Sequence, residues 1–306
     1  MDSRDLAIDV VYAWVDGSDP GLHEDMRRWA ERPEHLNPER TRDPYDVFRY
    51  SLRSVARYAP WVRRVHILTQ RPQAPAWLER AHPRVRVVHH DEIPGFAPYL
   101  PTFNSNGIET FLHAIPGLAD DFIYLNDDFL LGAPNTPADY VAADGRHLLY
   151  GTWFGLRIPF RVYQKRWKLY NAGRIEHTPR FYHKAFYEEM LAAYPAALDR
   201  TRARRFRRGD DLRLDRCYRM WMLGRHPDRV EVVPGRALLR YHRFHRIGND
   251  LERERRRLAE LRALAPKFYC LNDDQGRAPN QAVCAHVREV LAAWYPEPCE
   301  FERSAA

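Results

Sequence analysis

IDVVYAWVDGSDP, residues 8 to 20, is the stretch from which the fold can be read. Ile8 to Val15 is a β-branched and aromatic run, and Asp16-Gly17-Ser18-Asp19-Pro20 closes it, so it reads as a buried strand emptying into a polar turn. The loop after such a strand is where α/β proteins hold ligands.

Working outward, Asp46 to Tyr58 carries Phe48, Leu52, Val55 and Ala59 at helical spacing before Pro60 stops it, which predicts an amphipathic helix. Val65 to Thr69 and Val85 to His89 are short apolar runs bounded by prolines, each a strand of an open sheet. Asn104 or Ser105 can cap a helix with Ile108, Phe111, Leu112 and Ile115 as its apolar positions, ended by Pro116-Gly117. Phe122 to Leu125 is a further strand, with Asn126-Asp127-Asp128 at its C-terminal end. This alternation predicts an α/β fold with a mainly parallel, Rossmann-like sheet in roughly the first 150 residues. The second half is expected to be helix-rich, with helices at Phe181 to Ala193, Asp210 to Leu223, Asp250 to Ala265 and Ala282 to Trp294. No repeat or low-complexity linker divides the chain, so residues 1–306 read as one unit; a division near residue 150 is the alternative.

At 306 residues the chain buries enough apolar surface to fold without staples. Cys217, Cys270, Cys284 and Cys299 have no C-x-x-C pairing and read as reduced thiols. The polar N-terminus and the lack of a long apolar run predict a soluble, cytoplasmic protein, with action at the inner face of a membrane left open. A net charge of +7 favours anionic partners without choosing among nucleic acids, acidic lipids, polyanionic glycans and nucleotide diphosphates.

Adjacent carboxylates at a strand end suit Mg2+ or Mn2+, hard cations that share oxygen ligands with phosphates; Asp127 and Asp128 fit, although such a triplet also makes turns. The Asp16-Gly17-Ser18-Asp19 turn can hold a nucleotide, or be an ordinary turn. Glu109 follows the capping segment Phe103 to Asn106, whose amides can receive an anion. His177 can act as a general base, though it is one of fourteen histidines. Arg200 to Arg208 can clamp a diphosphate; nucleic-acid binding is disfavoured, since the run has one aromatic, Phe206, and Asp210-Asp211 close behind it. Lys267 to Asp274 is a second apolar run closed by Asn and Asp, a turn or a source of further oxygen ligands.

Taken in order, these segments resemble the conserved regions of the Stealth family, which includes bacterial capsule polysaccharide phosphotransferases and the α/β subunit of the lysosomal-enzyme GlcNAc-1-phosphotransferase. The residues that carry the resemblance are Ile8 to Pro20, Arg49 to Ser54, Ala59 to Arg63, Leu100 to Ser105 with Ile108-Glu109, Phe122 to Asp128, His177-Thr178-Pro179, Arg207 with Asp210-Asp211, and Lys267 to Asp273. Ala13 and Phe48 depart from the residues common in the family.

The resemblance implies a GT-A-like sheet and an active centre containing Glu109, Asp127, Asp128, His177 and Arg207. Asp16, Gly17, Ser18, Asp19, Asn104, Ser105 and Arg49 would lie on the donor side, and Asp127, Asp128 and Asp273 would be the metal ligands. Residues 1–150 would bind a UDP-sugar and residues 151–306 would complete the site. The expected reaction moves a hexose-1-phosphate from the UDP-sugar to a hydroxyl of a glycan, lipid-linked or small-molecule acceptor, releasing UMP, with Mg2+ or Mn2+ as cofactor. His177 is the first choice of base and Asp128 the second. A glycosyltransferase that releases UDP is the alternative, and a binding module without turnover is the non-enzymatic rival.

Overall fold

The computed structural model describes residues 6–38, 41–152, 179–234 and 241–303. Strand β1 (Ile8–Ala13) lies at the centre of a five-stranded sheet, flanked by β2 (Val65–Thr69) and β4 (Asp121–Asn126), both parallel to it. β3 (Val85–His89) extends the sheet beyond β2, and β7 (Arg180–His183) pairs antiparallel with β4 at the other edge, giving the order β3-β2-β1-β4-β7. A central parallel strand is covered on both faces, which is why β1 shows a run of buried residues and no polar alternation.

On one face Val10, Tyr12, Ile67 and Ile123 meet Phe48, Leu52 and Val55 of α2 (Val47–Tyr58). On the other, Val11, Leu68, Phe122 and Tyr124 pack with Tyr187 and Met190 of α4 (Lys184–Ala192) and Tyr218 and Trp221 of α6 (Leu214–Arg225). Truncating a buried aromatic such as Phe48 removes about 3–5 kcal/mol from a core of this kind. α2 starts where it does because the Asp43 carboxylate accepts from the amides of Tyr45, Val47 and Phe48 at 3.0–3.2 Å, satisfying donors that the helix cannot.

The chain leaves the main sheet through Asp127-Asp128 and enters a second one, in which β10 (Phe268–Asp273) lies between antiparallel β5 (Phe129–Leu131) and parallel β9 (His242–Ile247). Helices α7 (Leu251–Leu264) and α8 (Gln281–Trp294) cover it with Leu258, Leu261, Val283, Val287 and Leu291. β6 (His147–Thr152) and β8 (Val230–Pro234) form a short parallel pair. Among the described residues no helix is long and apolar enough to cross a membrane.

The α/β class with a mainly parallel central sheet agrees with the sequence reading, and three local expectations change. The helix expected from Asn104 onward is α3 (Ser105–Glu109) followed by a 3-10 turn at Leu112–Ala114. Gly107 is a weak helix former, and its carbonyl accepts from both the amide and the hydroxyl of Thr110, which tightens the chain out of α geometry. Arg180–His183 is a strand and not a helix start, because Phe181 and Tyr182 must serve opposite faces of the sheet. Lys267 to Asp274 is mostly the central strand of the second sheet, so the later half is more than a helical cover.

Candidate functional site

From β1 the chain steps outward through β2 and β3, then crosses back to β4 on the other side of β1. That reversal opens a crevice at the carboxyl ends of β1 and β4, where Ala13 pairs with Asn126. A cavity of about 270 Å³ occupies it, and Trp14, Asn126 and Asp127 line its floor. One wall is apolar: Leu22 and Met26 of α1 (Pro20–Trp29) pack with Phe206, on which His35 stacks at 4.1 Å between ring centroids. The other wall carries Glu109, Arg180, Arg207, Arg213 and Asp215.

Asp127 is thus held at the mouth of the sheet. Burial, the neighbouring Asp128 and Asp43 together push its carboxyl up to about 8, because a second and third negative charge in a poorly solvated place disfavour ionisation. Asp128 lies behind it: Oδ2 accepts from Asn272 Nδ2 at 3.2 Å, whereas Oδ1 is buried with no hydrogen-bond partner among the described residues. Cys270 is buried near that carboxylate, and burial and the negative charge keep its thiol protonated. Glu109, 8% exposed, receives Arg180 Nη1 at 3.3 Å; burial raises its pKa and Arg180 opposes the rise. Arg180 also lies over the Tyr124 ring at 5.3 Å.

An unpartnered buried carboxylate oxygen beside a second carboxylate is a place for a cation. Among the described residues no group of three or more His, Cys, Asp or Glu side chains could hold a metal. Two adjacent carboxylates, Asp127 and Asp128, fit an ion such as Mg2+, which is commonly bound through one or two carboxylates plus water and substrate phosphate.

The cavity gathers Asp127, Glu109, Ser105 and Arg207 from the residues singled out in the sequence. Others stand back from it. Asn104 is fully buried, caps α3 through Asn106 N and donates to Thr201 O and Asp211 Oδ2, tying α3 to α5 (Pro195–Ala203) and the loop after it. Arg49 faces Glu302 at 2.6 Å, and Asp273 is engaged by Arg42 at 2.5 Å and the Tyr45 hydroxyl at 2.8 Å. The Asp16–Asp19 turn is held within the protein: Asp16 accepts from Ser18 N and Oγ, Asp19 accepts from Gly21 N to cap α1, and Gln73 Nε2 donates to Asp19 at 2.7 Å. His177 lies outside the described residues. The clamp expected from Arg200 to Arg208 reduces to Arg207 at the cavity. Arg204 pairs with Asp210 and Asp211, Arg202 covers Phe111, Arg205 covers Trp29, and Arg208 meets Glu31.

Gly17 has a packing reason. A Cβ there would sit 2.0 Å from the Thr41 carbonyl oxygen, so only glycine lets the 41–43 loop close and bring Arg42 onto Asp273. Gly17→Ala is expected to lower stability by about 1–3 kcal/mol, an overpacking cost measurable by urea unfolding.

Sequence reading missed Arg180, Arg213 and Asp215. The available signals were the two-residue alternation of Arg180 to His183 and the Arg213-Leu214-Asp215 triplet that follows the acidic pair.

Comparison with known proteins matches Stealth conserved region 1 to residues 7–32, region 2 to residues 40–148 and region 3 to residues 176–214. An exopolysaccharide phosphotransferase of Streptomyces coelicolor is 34% identical over 97% of this chain and 52% of its own length. The exopolysaccharide phosphotransferase CpsY of Mycobacterium tuberculosis is 30% identical over 98% of this chain and 58% of its own. The chain thus spans about half the length of these curated relatives. Among solved structures, the galactosyltransferase LgtC with donor and acceptor sugar analogues aligns over 93% of this chain and 95% of its own at 11% identity and a TM-score of 0.45.

Proposed function

The chain belongs to the Stealth family, and from that premise we propose that it is a phosphotransferase moving a hexose-1-phosphate from a UDP-sugar to an acceptor hydroxyl in exopolysaccharide or related glycoconjugate synthesis. The observation that carries this reading is one cavity, at the crevice between β1 and β4, that combines Asp127 with the cations Arg180, Arg207 and Arg213. A diphosphate needs this pairing of positive side chains and a carboxylate-held cation.

In the proposed reaction the acceptor oxygen attacks the β-phosphorus. The bond from that phosphorus to the bridging oxygen breaks, UMP leaves with the bond electrons, and the acceptor proton passes to a base. The anomeric carbon–oxygen bond is untouched, so its configuration is kept. Mg2+ or Mn2+, held by Asp127 and Asp128, would neutralise charge on the diphosphate. Arg207 would face the transferred phosphoryl oxygens, where negative charge spreads in the transition state. His177, three residues before Arg180 in the chain, is the proposed base, and Asp128 the second choice. Ser105 and the Asp16–Asp19 turn are proposed to serve the donor side, the turn by shaping the β1 loop whose Trp14 and Val15 line the cavity.

Residues 1–306 are proposed to act as one catalytic unit. Phe181, Phe268 and Phe301 share an apolar cluster with Ile8, Val10 and Phe48, so the two halves have no separate cores. The reaction is placed in the cytoplasm or at the inner membrane face, in keeping with four unpaired cysteines.

The test is a panel of UDP-sugars with acceptor glycans, with Mn2+ or EDTA, reading the released nucleotide. UMP release in Mn2+ and none in EDTA is expected; UDP release would replace this reading with sugar transfer from the anomeric carbon. Arg207→Ala is expected to slow UMP release by about a hundredfold, as loss of one preorganised donor does. Near-normal turnover of folded Arg207→Ala protein would remove the residue from the phosphate site.

A further inference from the structure

The β2 and β3 side of the cavity holds polar groups that find no partner among the described residues. His90, just past β3, is 6% exposed and lines the cavity, yet neither ring nitrogen has a hydrogen-bond partner among the described residues, and Nδ1 is fully enclosed. Its neighbour His89 is bound at both nitrogens, by Glu92 Oε1 and Gln73 O, each at 3.0 Å. The Gln70 amide, just past β2 and half-buried, also lines the cavity, with no side-chain partner among the described residues. Ser105 Oγ, on the same lining, is buried and also has no partner among the described residues. Native interiors keep few such orphans, and several gathered on one cavity point to a ligand that completes them.

The kind of ligand follows from where the charges are. β3 and β7 are opposite edges of the sheet, so His90 and Gln70 stand at one end of the crevice and Arg180 at the other. Arg180, Asp215, Arg207 and Arg213 all act on the Glu109 carboxyl, so the charged residues of the cavity wall gather at Arg180's end. Burial pushes His90 down to about 4, so its imidazole is neutral at physiological pH and offers one donor and one acceptor. An amide likewise offers both. Phosphate oxygens call for cations; alternating neutral donors and acceptors match the edge of a nucleobase.

We infer that His90 and Gln70 read the base of the donor nucleotide, making them specificity-determining residues at the end of the cavity away from the phosphates. This rests on the nucleotide-sugar reading above.

Calorimetric titration of the full chain in Mg2+ with UDP and, separately, with inorganic pyrophosphate tests it. His90→Ala is expected to weaken UDP about tenfold, the effect of losing one hydrogen bond, and to leave pyrophosphate binding unchanged. Gln70→Ala, at a less buried position, is expected to do the same and carries the test if His90→Ala fails to fold. Unchanged UDP affinity, or equal weakening of both probes, would overturn the assignment. If the parent chain bound pyrophosphate but gained nothing from uridine, the base-reading corner would fail while the phosphate site stood. Binding of neither probe would remove the donor reading itself.

Discussion

Asp127→Asn is expected to reduce phosphotransfer about a thousandfold at saturating donor and Mg2+ while leaving the fold intact. Asp127 is the carboxylate that reaches the cavity from the end of β4, and Asp128 stands behind it against Asn272. Asparagine keeps the shape and one carbonyl oxygen but loses the negative charge that would hold a divalent cation against the donor phosphates. The fold is expected to survive because the Asp127 charge is a burden on the apo protein. Burial, Asp128 and Asp43 all disfavour it. Single-turnover kinetics separate the outcomes: a loss confined to KM would make Asp127 a donor contact, and an unchanged rate would remove it from the centre. Circular dichroism and a urea melt of the variant show whether the loss is chemical or structural.

The sheet was legible and much of the site was not, for a physical reason. β1, β2 and β4 are buried parallel strands and β3 is the sheet's edge, all bounded by turns or prolines; β2 and β3 begin and end where the sequence placed them, and the ends of β1 and β4 differ by a residue or two. Asp127 was legible because its position follows from the end of β4 alone. Arg180 was not, because it reaches the cavity only through the antiparallel register that sets it opposite Tyr124. The engagement of Asp273 by Arg42 and Tyr45, and of Asn104 by Thr201 and Asp211, joins residues about a hundred or more positions apart, beyond any local pattern. The Arg200 to Arg208 run misled for the same reason: its charges look free in the sequence, and the fold spends most of them on Asp210, Asp211, Glu31 and aromatic faces.

In EDTA the protein is expected to be most stable on the acid side of neutrality and to lose stability steeply below pH 4. Asp127 has a folded pKa of about 8 against 3.8 unfolded, so as pH falls through 8 the folded state takes up a proton that the unfolded chain does not, and stability rises. Asp46, raised to about 6 by burial and Asp43, adds to the rise slightly lower. Histidines act in the opposite sense. Burial holds His90, His113 and His147 at about 4, so from pH 6.5 downward the unfolded chain takes up these three protons first, more than Asp127 and Asp46 take up in the folded state, and the rise turns over into a decline. Below that, two depressed carboxylates decide the outcome. Burial works to raise Asp9, but hydrogen bonds from His66, Arg63 and the Ala119 amide outweigh it and leave it at about 2. Arg53, the Cys299 amide and Arg49 do the same for Glu302, also at about 2. Each contributes stability, about 2–3 kcal/mol, that is fully present above its unfolded pKa and lost as pH falls toward 2. Urea melts from pH 8.5 to 3 measure the curve. The decisive comparison is Asp127→Asn, which should be more stable than the parent at pH 8 and lose much of the rise between pH 8 and 6.5. A parent curve that falls steadily from pH 8 would mean that Asp127 is ionised in the apo protein, and that the crowding of Asp127, Asp128 and Asp43 is relieved by some other means.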